Sequence, residues 1–217
     1  MPTAISVLPA PGVEVTQTRF EQIMSVASHL FFTQGFEAVS LRQLAKGAGI
    51  SAGSLYNHIE SKQALLYDLM DETLSLLLTQ SMRALRQPNI ANNELNTVIN
   101  VFANLAITDH ANLALALRPA PQLTDIQRAK IDIKIQQYSQ LLQRLITKRL
   151  MCQDIKPGSL NQLVRGVLTL LRTCIEDNPQ SGKGEVYVLY PSLVDAWLTS
   201  FTPYAEKFSP RSGSAKT

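Results

Sequence analysis

Charged residues are scarce in this 217-residue sequence. Asp, Glu, Lys and Arg make up 17% of it against 45% hydrophobic residues, which excludes a disordered chain and leaves ample material for a buried core. Neither sign dominates: the formal net charge is +3, which by itself is poor grounds for a nucleic-acid partner. Cysteine is reduced to Cys152 and Cys174, which excludes a disulfide framework and reads as two reduced thiols of a cytoplasmic protein. A redox-sensing pair has no support from the residues near them. His29, His58 and His110 are scattered, with no Cys/His cluster at zinc spacing, so no metal and no cofactor is expected. Long apolar runs are missing too. The least charged long stretch, Leu95 to Thr108, is shorter than the ~20 residues of a membrane span and carries three asparagines. No charged n-region precedes the first apolar residues, so no signal peptide is expected. No Ser-His-acid set, phosphate loop or meaningfully spaced carboxylate pair is present, so no catalytic residue is named.

What the sequence does have is a dense motif from Gly35 to Lys62. Ser40-Leu41-Arg42-Gln43 is a capping box that opens a short helix with Leu44 and Ala45 on one face. Gly47 and Gly49 end it. Ser51 caps a second helix through His58, with Leu55 and Ile59 four apart and facing inward. Ala52, Gly53, Ser54, Tyr56, Asn57 and His58 are left outside. Small residues in front and hydrogen-bonding side chains behind suit a helix lying in a DNA major groove. From 19 to 62, Arg19, Arg42, Lys46 and Lys62 face Glu21, Glu37 and Glu60, so placed side chains must do more than bulk charge.

Around this motif the chain reads as all-α. Residues 1–17 carry Pro2, Pro9, Pro11 and Gly12 without a period and are expected to be a disordered arm; lacking Lys and Arg, it is a poor minor-groove reader. Thr18-Arg19-Phe20-Glu21 boxes the start of a helix to about Gln34. Ser61 caps a long helix to about Arg86. Further helices are expected at about 94–117, 125–151 (after the box Thr124 to Gln127) and 160–175, with Lys156-Pro157-Gly158 as a turn. A last helix is expected at 186–204, which Pro191 starts, kinks or breaks. Residues 209–217 read as a disordered tail. The expected organisation is a three-helix head over 18–62 and a helical body over 63–208.

The ordered set Leu30-Phe31, Gly35-Phe36, Ser40, Leu44-Ala45, Ala48-Gly49-Ile50-Ser51, Gly53-Ser54-Leu55-Tyr56, His58, Ser61-Lys62 and Leu65 resembles the DNA-binding region of TetR-family (tetracycline-repressor-like) transcriptional regulators. The match has no gaps and covers about a quarter of the chain. Ile59 departs from the Phe of many members, apolar for apolar. The resemblance implies a homodimeric regulator, most often a repressor, with a helix-turn-helix head on a near-palindromic operator and a body that binds a ligand and dimerises. Tyr56 and His58 match positions that touch phosphate. Ser40 at a helix start and Lys62 are further phosphate candidates; Ser54, Asn57, Ala52 and Gly53 are base readers; Arg42 could reach either. The implied effector is small and mostly apolar, in a pocket drawn from Leu69, Leu77, Phe102, Leu105, Leu113, Leu117, Tyr138, Leu142 and Leu171. His110 and Arg118 flank it and could orient a polar or anionic group. Leu74 and Ile135 are further candidate lining residues. The implied dimer interface takes Leu163, Val167, Leu170, Leu193, Val194, Trp197, Leu198 and Phe201, from two helices that are apolar on several sides. Two alternatives stay open: a DNA-binding regulator with no small-molecule ligand, and a helical carrier of hydrophobic molecules, or an enzyme, whose head no longer binds DNA.

Overall fold

The computed structural model describes residues 18–88, 93–150, 157–176 and 191–199. The expected arm and tail, Cys152 and Phe201 lie outside the described residues, as does the side chain of Cys174. The elements are α1 (Arg19–Gln34), α2 (Leu41–Gly47), α3 (Ala52–Leu55), α4 (Lys62–Ala84), α5 (Glu94–Thr108), α6 (His110–Leu117), α7 (Asp125–Leu150) and α8 (Pro157–Glu176). A further helical segment covers 191–199, and no strand occurs among the described residues.

The caps form as the local sequence dictates. Thr18–Glu21 and Ser40–Gln43 are complete capping boxes, and the Ser51 and Ser61 hydroxyls accept from the Ser54 and Ala64 N–H groups. Thr124 and Gln127 exchange the same pair of bonds at the start of α7. Glycine closes α2 in a Schellman pattern: Ile50 N–H bonds the Ala45 carbonyl, Gly49 N–H bonds the Lys46 carbonyl, and Gly49 has φ 65°. Gly47 is there for another reason. A Cβ on it would stand 2.6 Å from Val26 Cγ1, so it is the close crossing of α1 and α2 that excludes a side chain.

Three boundaries differ from expectation. The helix expected at 94–117 is two. Asp109 leaves helical geometry (φ −143°, ψ 50°), its N–H ends α5 on the Leu105 carbonyl, and its own carbonyl accepts from Leu113 to begin α6. The Asn112 side chain holds the Asp109 carboxylate at 3.0 Å. Of the expected turn at 156–158, Pro157 and Gly158 instead begin α8, with Pro157 in the first helical position where its missing N–H costs nothing, and Lys156 lies outside the described residues. The expected helix from Ser51 through His58 shortens to α3, because i→i+3 bonds from Asn57 to Ser54 and from His58 to Leu55 tighten it into a turn. In the last helix, 191–199 is helical from Pro191 onward; 186–190 and 200–204 lie outside the described residues.

Two apolar clusters organise the packing. The first gathers Ile23, Phe31, Leu44, Leu55, Ile59, Leu65 and Leu69 of the head and extends to Leu115 and Ala116 of α6 and Ile131 of α7. The second fills the body with Leu77, Ile99, Phe102, Leu113, Tyr138, Leu142, Val167 and Leu171. Helix α4 contributes to both and α6 packs on α1, α4, α5 and α8, so a displacement in the body has a rigid route to the head.

Candidate functional site

The head presents one exposed polar edge. Leu55 and Ile59 are buried, which turns Gly53, Tyr56, Asn57 and His58 outward. Ala52 and Ser54 are half-buried beside them. Tyr56 is 61% exposed, too open for a packing role, and His58 is exposed rather than tucked under the head. Ser40 and Arg42 lie exposed at the start of α2. The backbone N–H groups at the N-termini of α2 and α3 add partial positive charge to this edge.

Lys62 does not join them, and the sequence expectation is corrected here. Its ammonium donates to the carbonyls of Phe36 (2.8 Å) and Val39 (2.9 Å) and lies 4.2 Å from the centre of the Phe36 ring. A cation in the first turn of α4 faces the unfavourable end of the helix dipole, and these carbonyls offset that. In this structure Lys62 is therefore tied to the loop that leads into α2 and is turned inward.

In the body a nearly closed cavity of about 30 Å³ lies among Leu74, Leu77, Phe102, Leu117, Ile135, Tyr138, Leu168, Leu171 and Arg172. Of the expected lining residues, Leu74, Leu77, Phe102, Leu117, Ile135, Tyr138 and Leu171 line it. Leu69 belongs to the head cluster instead, because α4 has turned that residue toward α1. Leu105, Leu113 and Leu142 are buried in the body core away from the cavity wall. Tyr138 is fully enclosed; burial raises its pKa, and its hydroxyl has no hydrogen-bond partner among the described residues. A buried unpaired hydroxyl is costly, and a polar atom on an entering molecule would remove that cost. A second recess of about 60 Å³ adjoins the first, sharing Leu117 and Arg172 and adding Ala114, Arg118, Pro119 and Ile175.

His110 stays off both walls. Its ring stands edge-on to Phe32 at 5.2 Å, with the Ala106 carbonyl as its backbone neighbour. Burial lowers its pKa below 6.5; the Ala106 carbonyl opposes this and the Arg118 charge adds to it. The sign follows: the folded chain holds neutral His110 where the unfolded chain takes up a proton. Its contribution to stability is complete above pH 6.5 and is lost as pH falls below that value. Melting temperature should drop more steeply with acidification in the wild type than in His110→Gln, which a thermal series from pH 7.5 to 5 measures.

The dimer expectation also needs correction. Leu163, Val167, Val194 and Leu198 are buried within a single chain, since α8 and 191–199 turn those faces to the body core. Among the described residues of that expected interface, Leu170 (38% exposed) and Leu193 (54%) are the exposed ones, and Trp197 is half-buried against Gly166. The basic series on α7 is largely paired: Lys134 with Asp71 and Ser75 of α4, Lys148 with Glu94, Arg149 with Asp195 and Arg128 with Asp125. Sequence reasoning missed Phe32 and Arg172. An arginine directly after Leu171, and four residues after Leu168, in an apolar stripe was the available signal for the second.

The family described as bacterial regulatory proteins, tetR family, matches residues 23–69. The fatty acid metabolism regulator protein of Bacillus subtilis is 23% identical over 151 residues, 69% of this chain and 77% of that protein. The transcriptional repressor KstR2 of Mycolicibacterium smegmatis is 26% identical over 112 residues, so the chain spans about half (53%) of that relative. A tetR-family regulatory protein from Rhodococcus RHA1 superposes with a TM-score of 0.73 at 19% identity, over 85% of this chain and 97% of the other. AibR, solved with isovaleryl coenzyme A and operator DNA, superposes with a TM-score of 0.69 at 19% identity, over 86% and 99%. The match to the tetR family model thus covers the head, and the described helical body shares its fold with the two solved structures.

Proposed function

We propose that this chain is a ligand-responsive repressor that binds a near-palindromic operator as a homodimer in the cytoplasm and is released by a small, mostly apolar effector. The observation that carries the reading is the exposed edge of Gly53, Tyr56, Asn57 and His58, held in place by buried Leu55 and Ile59. Asn57 can pair with adenine, Gly53 allows close approach, and Tyr56, His58, Ser40 and Arg42 set the register on phosphates. A symmetric dimer presents this edge to two half-sites, and Leu170 and Leu193 offer an outward apolar face for self-association.

The cavity around Tyr138 supports the effector half. At about 30 Å³ it holds one or two waters, so an organic molecule enters only a widened body. Such a ligand binds the widened state better than the closed one, which is the condition for shifting a population. The relatives named above for fatty acid metabolism and isovaleryl coenzyme A favour an acyl-bearing molecule.

Fluorescence anisotropy against the DNA flanking the gene and against random DNA tests the first half; equal affinity for both at physiological salt sinks it. Within that assay, Tyr56→Ala should weaken specific binding by about a hundredfold or more, since a hydrogen bond to a charged group, worth about 1.5–3 kcal/mol, is lost at each of two half-sites. Its melting temperature should not move, because the ring is exposed.

A further inference from the structure

Helix α6 faces the two recesses on one side and the head on the other. On the recess side, Leu117 and Arg118 line the outer recess together with Arg172 of α8, and Leu117 and Arg172 also line the apolar cavity. On the head side, the Arg118 guanidinium lies 5.2 Å from the centre of the Phe32 ring of α1. No acidic residue lines either recess, and neither arginine has an ion-pair partner among the described residues. Two guanidinium groups at the mouth of an apolar cavity, with no carboxylate lining it among the described residues, suit anionic oxygens, which the arginine fork binds in pairs.

Resting on the effector reading above, we propose that Arg118 and Arg172 bind the anionic head of an amphipathic effector whose short apolar tail enters the Tyr138 cavity, and that this draws Arg118 off Phe32 and loosens α1 from α6. The two halves are coupled because one guanidinium serves both. It cannot stack on Phe32 and close on an anion in the recess with equal strength. The cation–π contact is worth a few-fold in equilibrium at a partly exposed site, whereas a charge-assisted pair is worth about tenfold or more, so the anion wins when bound. Loss of the stack removes one of the contacts that hold the head on the body, which is what release of DNA requires.

The test uses the full chain with hexanoate, hexanoyl coenzyme A and 1-hexanol as probes. Each is titrated calorimetrically into DNA-free protein and then into the protein–DNA complex. At least one anionic probe should bind about tenfold tighter than hexanol and lower DNA affinity. Binding of hexanoyl coenzyme A alone identifies a phosphate-bearing head, and binding of hexanoate identifies a carboxylate. Arg172→Gln should weaken the anion about tenfold and leave hexanol within twofold. Arg118→Gln should weaken it similarly and also uncouple it, so that a saturating anion no longer changes DNA affinity. The proposal is overturned if hexanol matches the anions, if no probe binds, or if Arg118→Gln releases DNA as the wild type does. A chain that never binds DNA would sink the repressor reading, while the calorimetry on free protein would still decide the anion site.

Discussion

Lys62→Ala should abolish tight operator binding without changing how the remaining binding depends on salt. The ammonium donates to two carbonyls, of Phe36 and Val39, in the loop between α1 and α2, and covers the Phe36 ring. Removing it leaves both carbonyls without their charged donor at a part-buried site, and hydrogen bonds to charged groups are worth about 1.5–3 kcal/mol. A loss of about 2 kcal/mol in head stability is expected, visible as a lower melting temperature. DNA affinity should fall because α2 and its capping box no longer sit in one orientation relative to α3. The salt series separates this from a phosphate contact. Each lost phosphate contact makes the plot of log affinity against log salt shallower by about one unit, whereas a lost staple lowers the whole line in parallel. A shallower slope with an unchanged melting temperature would show that Lys62 swings out to DNA after all. Lys62→Met is the informative companion, since it keeps the stem over Phe36 and removes only the donors; it should behave like Ala if the carbonyls matter most.

The contrast between Lys62 and the caps shows where the sequence is readable. Thr18, Ser40, Ser51, Ser61 and Thr124 were all identifiable as helix starts, because a cap is satisfied by a backbone N–H three residues away and needs no tertiary contact. The buried positions Leu44, Leu55 and Ile59 were legible from helical spacing, and the outward edge of α3 followed from them. The inward contacts of Lys62 were not legible because its partners lie 23 and 26 residues back along the chain. Leu163, Val167, Val194 and Leu198 were assigned to a dimer face because a helix that is apolar on several sides says only that each side is covered, not whether the cover is its own chain or a second copy. The break at Asp109 was within reach: Asp favours a position where its side chain bonds nearby backbone or an Asn three residues on. Phe32 under Arg118 was not, since nothing local to either residue points to the other.

Gly166→Ala should destabilise the body by about 2–3 kcal/mol, although alanine is the better helix former. In an exposed helix interior the exchange stabilises by about 1 kcal/mol. Here a Cβ would stand 2.3 Å from Trp197 Cη2 and 2.8 Å from Cζ2, inside any tolerated contact. The indole is rigid, so the overlap cannot be relieved at the tip of a flexible chain. Either the ring leaves its rotamer or 191–199 lifts away from α8, and such overpacking costs about 1–3 kcal/mol and occasionally more. The opposite signs of propensity and packing make the measurement decisive. Denaturant midpoints of the wild type, Gly166→Ala, Trp197→Leu and the double variant close a cycle. If the crossing of α8 and 191–199 is as tight as described, Gly166→Ala destabilises the wild type but not the Trp197→Leu background, where the propensity gain should emerge. A stabilising Gly166→Ala in both backgrounds would show that the two helices do not cross at Gly166. Because Leu170 of α8 and Leu193 of 191–199 are exposed large apolar residues of this pair, sedimentation of Gly166→Ala adds a second readout. Displacing 191–199 moves Leu193 relative to Leu170, and a dimer built on that face should dissociate at a higher protein concentration than the wild type.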